Sequence, residues 1–292
     1  MTGVKKYSIG QKVFLKRLTL KLLLLRNTLD LKINVAYFFQ HLLSRISSKN
    51  LRSDQEGKKF ARTLSKKGVV NLGVSEISEL AQWADRYFGE HRPGSGERKI
   101  ERGAADEVVS LVFKVLEEKL EAVLNAYYRS HFQFYWGTIV RNETMDVVDA
   151  GISWDFHLDD NPREVMKIFI YLNDVYEKNA AFRALDYRTS RELFKKGFIS
   201  CSKELRIESQ SLISAEIVKK LLIQEGKAGT VLIFDNNLIH RGTPPEQGYR
   251  DVVMLEVYPS SRRMDLDSLR KAFAIPITRD YPLSPFLNDS MA

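Results

Sequence analysis

The sequence predicts a mixed α+β chain with a mainly β core, a sandwich or jelly roll, and helices packed outside it. Three observations carry this expectation. Apolar residues recur at spacings of three and four through the first 128 residues. From Phe132 onward the period shortens to two, and short β-rich runs follow at 144–149, 152–159, 166–172, 229–234 and 250–258. A charged, mostly helical stretch at 174–228 interrupts those runs.

Taken in order, residues 11–47 read as basic amphipathic helix, broken near Asn27-Thr28. Leu15, Leu18, Leu22, Leu25 and Leu29 form its apolar stripe, with Lys16, Arg17, Lys21 and Arg26 between them. Gly68–Leu72 is a short strand. Ser75 is placed to cap a helix running to about Phe88, with Glu76 and Glu79 in its first turn. Pro93-Gly94 and Gly96 mark 91–103 as loop. Residues 104–128 read as one long helix with Val108, Leu111, Val112, Val115, Leu116 and Leu120 on its apolar side. Ser214 is expected to start the last helix of the 174–228 insertion. From Pro276 the chain is proline-rich and expected to wrap the surface. The expected organisation is a basic helical segment at 1–67, a β domain at 68–275 and a tail at 276–292.

Composition narrows the function classes. With 292 residues and 44% hydrophobic content, the chain can bury one sizeable core. The single cysteine, Cys201, rules out an internal disulfide and cysteine-rich zinc sites, and fits a reducing, cytoplasmic setting. Residues 1–67 hold sixteen Lys or Arg against Asp30, Asp54 and Glu56. That is a net of +13 where the whole chain has +8, so the remainder is −5. Such asymmetry points to an anionic partner for the N-terminal segment. One reading is a helix docked on the core with a solvated basic face. The other is peripheral contact with an anionic membrane, on its inner face, through residues 11–47. Nucleic acid is the less favoured partner, because no aromatic residue that could stack on bases lies between Phe14 and Tyr37. Leu22–Leu25, flanked by Lys21 and Arg26, is too short to span a bilayer or serve as a signal-peptide core.

The chemistry-bearing residues are His157, Asp159 and His240, with Arg250 ten positions further on. Residues i and i+2 of a strand share a face, so His157 and Asp159 are expected to project together. His240 can join them only through the fold, at the end of the strand Gly229–Phe234. Two histidines and one carboxylate, with positions left open, suit a mononuclear iron(II) site; zinc is the competing metal. Arg250 opens the next strand. It is either the anchor for an anionic co-substrate, which a guanidinium grips in bidentate fashion, or a turn residue paired with Asp251 or Glu246. Lys167 shares strand parity with Phe169 and Tyr171, so it faces either the interior or solvent. Trp154 and Phe156 are core or pocket wall. Asn236 and Asn237 are turn residues or hydrogen-bonding supports of His240.

The stretches His157-Leu158-Asp159, Lys167–Val175 (KIFIYLNDV) and His240-Arg241-Gly242 with Arg250 resemble the phytanoyl-CoA dioxygenase-like branch of the iron(II)/2-oxoglutarate oxygenases. The similarity runs from about residue 64 to 260. It implies a double-stranded β-helix fold, Fe(II) held by His157, Asp159 and His240, and 2-oxoglutarate anchored by Arg250, with Lys167 as a further contact. O2 would be the oxidant, with release of succinate and CO2. The resemblance lapses at 179–190, where family members often carry a Gly and a Pro-Gly-Ser-His-like stretch, so the substrate is not carried over. Some relatives hydroxylate sugars of bacterial lipopolysaccharide. The expected reaction is hydroxylation of a small or lipid-linked molecule, in one version an anionic glycolipid or sugar. Lys195, Lys196, Arg206, Lys219 and Lys220 would form a lid over it. Two alternatives stand beside this: a cupin-like isomerase or hydrolase that does not use 2-oxoglutarate, and a non-catalytic binding protein with a basic arm.

Overall fold

A computed structural model describes residues 31–48, 51, 54–90, 97–100, 104–144, 154–159, 164–200 and 203–274. The helical readings before residue 31, all but Thr144 of the strand expected at 144–149, and the tail from Pro276 lie outside these residues.

Among the described residues two helices come first, α1 (Leu31–Ser47) and α2 (Gln55–Lys67). Asp54 caps α2 by accepting from the Gly57 amide, and Gly68 closes it in the left-handed conformation, φ +80°, where a side chain would be strained. Gly57 also lets α2 approach closely, since a Cβ there would lie 2.6 Å from the Ala122 carbonyl oxygen. The chain continues through β1 (Val69–Val74), α3 (Ser78–Glu90), β2 (Glu97–Lys99), α4 (Ala105–Lys119) and α5 (Glu121–Tyr128). The β region follows with β3 (His131–Glu143), β4 (Met166–Tyr171) and β5 (Phe182–Ala184). Helices α6 (Tyr187–Lys195), α7 (Lys203–Gln210) and α8 (Ala215–Val218) intervene before β6 (Leu222–Gln224). The last elements are β7 (Thr230–Asp235), β8 (His240–Arg241), β9 (Tyr249–Ser260) and α9 (Leu266–Ala274).

Among the described residues the strands form two antiparallel sheets, one ordered β1-β7-β4-β9-β3-β2 and a smaller one ordered β6-β5-β8. Strand alternation sends one set of side chains from the large sheet toward the helices. Ile168, Ile170, Ile233, Val253 and Leu255 meet Leu80, Val112, Leu116 and Leu124 there. The other set, including Phe169, Tyr171, Leu232, Phe234 and Val252, faces Phe182 and Ala184 of the small sheet. The expected jelly-roll layering with helices outside is therefore present.

Four local expectations are corrected. Helix α3 starts at Ser78 rather than after Ser75. The Ser75 amide is held by the Gly229 carbonyl (2.9 Å), and Glu76 accepts from the Ser78 amide instead. The long helix at 104–128 is two helices that meet at the buried Leu120, with main-chain bonds continuing through it. The 174–228 stretch is not merely a helical insertion, because it supplies β5 and β6 of the small sheet. Each of these strands has three residues, too few to show a period. Residues 154–159 are turn and bend rather than strand, with an isolated bridge from His157 to His240.

On the helix-facing side of the large sheet, Arg141 and Asp251 sit directly opposite one another on β3 and β9. They form a two-pronged pair at 2.7 and 2.6 Å, both side chains buried, with the guanidinium stacked 4.1 Å from the Tyr249 ring.

Candidate metal centre

The site is assembled by main-chain pairing. The His157 amide donates to the His240 carbonyl and the His240 amide to the His157 carbonyl, both at 2.9 Å. The Asp159 amide donates to the Asn236 carbonyl at 3.2 Å. Convergence of His157 and Asp159 thus comes from docking on β8 and the turn before it, not from a shared strand face. The 154–159 segment is pinned from the other side. Gln210 of α7 accepts from the Phe156 amide and donates to its carbonyl, and the Ser200 hydroxyl accepts from the Leu158 amide.

The turn that carries His240 is organised by Asp235. Its carboxylate accepts from the amide and the side chain of Asn237 at 2.8 and 2.9 Å, and from the Tyr187 hydroxyl at 2.5 Å. Asn237 is therefore a turn residue. Asn236 is fully buried, with its side-chain amide 3.5 Å from Glu256.

Both imidazoles have their tautomers set by main-chain carbonyls. Nδ1 of His157 donates to the Asp155 carbonyl at 2.7 Å, and Nδ1 of His240 to the Leu238 carbonyl at 2.8 Å. A carbonyl only accepts, so each Nδ1 carries a proton and Nε2 is left as the atom that each ring offers to a metal. The two Nε2 atoms each lie 3.6 Å from an oxygen of Asp159, and the three ligand atoms fall within 4.8 Å of one another. Burial, then the neighbouring His157, pushes the His240 imidazole down to about 3. It is neutral at neutral pH, as a ligand must be.

Lys167 lies inside. Its ammonium is 2.5 Å from Asp159 Oδ2 and 3.4 Å from Glu256 Oε1. Burial pushes the Asp159 carboxyl up, but Lys167, His240 and His157 together hold it well below the usual carboxylate range. Burial likewise opposes the Lys167 charge, and Asp159 and Glu256 outweigh it. Glu256 was missed in the sequence, although it shares β9 parity with Arg250 and sits in an otherwise apolar run.

Arg250 is buried, on the same inner face of β9, and its Nη1 donates to the Ala180 carbonyl at 2.5 Å. Asp251 is not its partner; strand alternation turns that carboxylate to Arg141 on the opposite face. The rings of Phe169, Phe182 and Phe234 pack on one another beside the candidate ligands, with Phe182 and Phe234 each 5.6 Å from the His240 ring. Phe156 is core, under the Arg241 guanidinium at 4.5 Å. Of the expected lid residues, Arg206 is buried and points its guanidinium at the Ser200 carbonyl, whereas Lys195, Lys196, Lys219 and Lys220 are exposed.

A pH effect follows for the metal-free protein. Between about pH 6.5 and about 3 the unfolded chain binds a proton at His240 that the folded chain does not. This contribution is fully present above 6.5 and is lost as pH falls, with a limiting slope of about 1.4 kcal/mol per pH unit. Chelator-treated protein is expected to show a urea midpoint that drops from pH 7 to pH 5, and His240→Asn to flatten that slope by one proton.

No family profile and no curated protein match the chain. Solved structures similar to it include the non-heme alpha-ketoglutarate-dependent carbocyclase SnoK from nogalamycin biosynthesis, with 14% identity over 73% of this chain and 85% of that one, TM-score 0.46. HygX from Streptomyces hygroscopicus, solved with nickel and 2-oxoglutarate bound, is 15% identical over 73% of this chain and 90% of that one, TM-score 0.49. The epimerase SnoN, in complex with Fe3+, alpha-ketoglutarate and nogalamycin RO, is 12% identical over 70% of this chain and 84% of that one, TM-score 0.49. These are likenesses of chain path at low identity, and what the site can do rests on its own geometry. That geometry defines a class: a two-sheet β protein whose His157, Asp159 and His240 can hold a single metal ion.

Proposed function

We propose that the chain is an Fe(II)- and 2-oxoglutarate-dependent dioxygenase of the phytanoyl-CoA dioxygenase-like branch, hydroxylating a small or lipid-linked, anionic substrate. The observation that carries this reading is the convergence of two Nε2 atoms and one carboxylate held ionised by its neighbours, with buried Arg250 on β9, the next strand in the chain. The donor set fits iron(II): two imidazoles and one carboxylate leave coordination positions for a chelating keto acid and O2. Bound iron would supply the oxidative chemistry, with succinate and CO2 released.

The protein's own groups have separate tasks in this reading. The Asp155 and Leu238 carbonyls orient the two imidazoles. Lys167 fixes one oxygen of Asp159 and is a further cation for the keto acid or a substrate anion. Arg250 grips the distal carboxylate of 2-oxoglutarate, and the Phe182 and Phe234 rings beside His240 keep water from that side of the site. The exposed Lys195 and Lys196 at the end of α6, with Lys219 and Lys220 following α8, favour an anionic substrate.

Anaerobic titration with iron(II) and 2-oxoglutarate tests the reading. The wild type is expected to develop the weak visible charge-transfer band of the chelate. Arg250→Ala should require about 10- to 100-fold more 2-oxoglutarate, the worth of a charge-assisted hydrogen bond of about 1.5–3 kcal/mol. Absence of the band at saturating metal would sink the proposal. Metal binding with no response to the keto acid would favour an isomerase or hydrolase.

A further inference from the structure

Helix α1 is amphipathic in the wrong sense for a helix that belongs to the core. From Phe38 onward its protein-facing residues are polar. Gln40 is 4% exposed and donates to the Pro259 carbonyl (3.2 Å), Ser44 is 1% exposed, and His41 Nε2 meets the Tyr128 carbonyl at 2.8 Å. Its outward residues are large and apolar: Phe39 is 55% exposed, Leu43 52% and Ile46 52%, with Phe38 and Leu42 beside them. A surface helix normally shows the reverse. A contiguous apolar face of this kind marks a docking surface.

The neighbouring surface identifies what docks. A groove of about 910 Å3 runs between α1 and the α2–α5 pair, and Leu42 and Ile46 form one of its edges. Arg45, Lys58, Arg62, Lys66 and Arg129 line it, all exposed, and no carboxylate is among its lining residues. Apolar side chains bordering a one-sign basic groove match the two layers of an anionic bilayer surface, acyl chains and headgroups. A second copy of the chain would bring a like-charged surface against this one, in a segment whose net charge over residues 1–67 is +13.

We propose that α1 and this groove dock the protein peripherally on an anionic membrane. The apolar crest enters the interface, and the five basic groups meet lipid phosphates. Among the described residues no helix is long and apolar enough to cross a membrane, so the contact is one of lying on the surface. The inference goes beyond the proposed reaction and is independent of it, because vesicle binding is read without iron, keto acid or turnover.

The full chain is tested by co-sedimentation with phosphatidylcholine vesicles containing phosphatidylglycerol, and with phosphatidylcholine vesicles alone. Binding is expected to the first and not the second, and to weaken as salt is raised. Phe39→Glu with Leu43→Glu should weaken it more than about tenfold. Arg62→Glu with Lys66→Glu should weaken it more than about tenfold as well, at about fivefold per cation removed and more for reversal. Melting temperatures of both double variants should match the wild type, since the substituted groups are exposed. Three results would overturn the proposal. One is no binding of the wild type to anionic vesicles. Another is a lowered melting temperature in Phe39→Glu with Leu43→Glu and unchanged vesicle binding, which would mean the chain itself covers the face. The last is retention on a dimer or on nucleic acid in place of vesicles.

Discussion

His240→Ala is expected to abolish stable iron(II) binding and with it the 2-oxoglutarate charge-transfer band. Removing a group that merely orients a metal ligand lowers affinity about 10- to 100-fold, so loss of the ligand itself should exceed about 100-fold. The substitution also removes the imidazole that, with His157, flanks Asp159 at 3.6 Å. The fold should survive, because the β8 pairing that carries position 240 is main chain to main chain. Metal titration followed by calorimetry, beside a far-ultraviolet spectrum, separates the two outcomes. A variant that binds iron as tightly as the wild type would remove His240 from the site.

Arg141→Ala is expected to cause the largest loss of stability, about 3–5 kcal/mol. Two buried charges are tolerated because each satisfies the other through two short hydrogen bonds and the guanidinium stacks on Tyr249. Alanine leaves the Asp251 carboxylate buried on the helix-facing side without the guanidinium that holds both of its oxygens. The double substitution Arg141→Met with Asp251→Leu should recover most of the loss, since it removes the charge and refills the volume. Urea midpoints of the three proteins check this. Equal loss in the single and double variants would show that shape, not charge, is what the pair supplies.

Both of these residues bear on how much could be read from the chain alone. Strands β4, β7 and β9 were legible because their runs are long, bounded by turns and buried on both faces, as Met166–Tyr171 is throughout. The candidate ligands His157, Asp159 and His240 could be read as a set for chemical reasons, but what brings them together was misjudged. His157 and Asp159 looked like one strand face, whereas the real constraint is pairing with β8, 83 residues away and invisible to local periodicity. The three-residue strands β5 and β6 failed for the same reason: nothing within Phe182–Ala184 distinguishes an inner strand from a turn. Arg141–Asp251 was not found because a cross-strand partner is defined by register, which only tertiary structure supplies. The polar inner stripe of α1 was equally hidden, since sequence pattern gives a helix two faces but not which one is turned inward.

The reciprocal amide pairing of His157 and His240 has a thermodynamic consequence. The spacing of the two imidazoles is set by the backbone ladder, before any ion arrives, and their rings are held by carbonyls two residues upstream. Conformational entropy that a flexible loop would surrender on metal capture has here already been surrendered during folding. Capture of an ion there would therefore be a binding event on a rigid template rather than a folding event, unlike the small metal-dependent domains whose structure collapses when the ion is withdrawn.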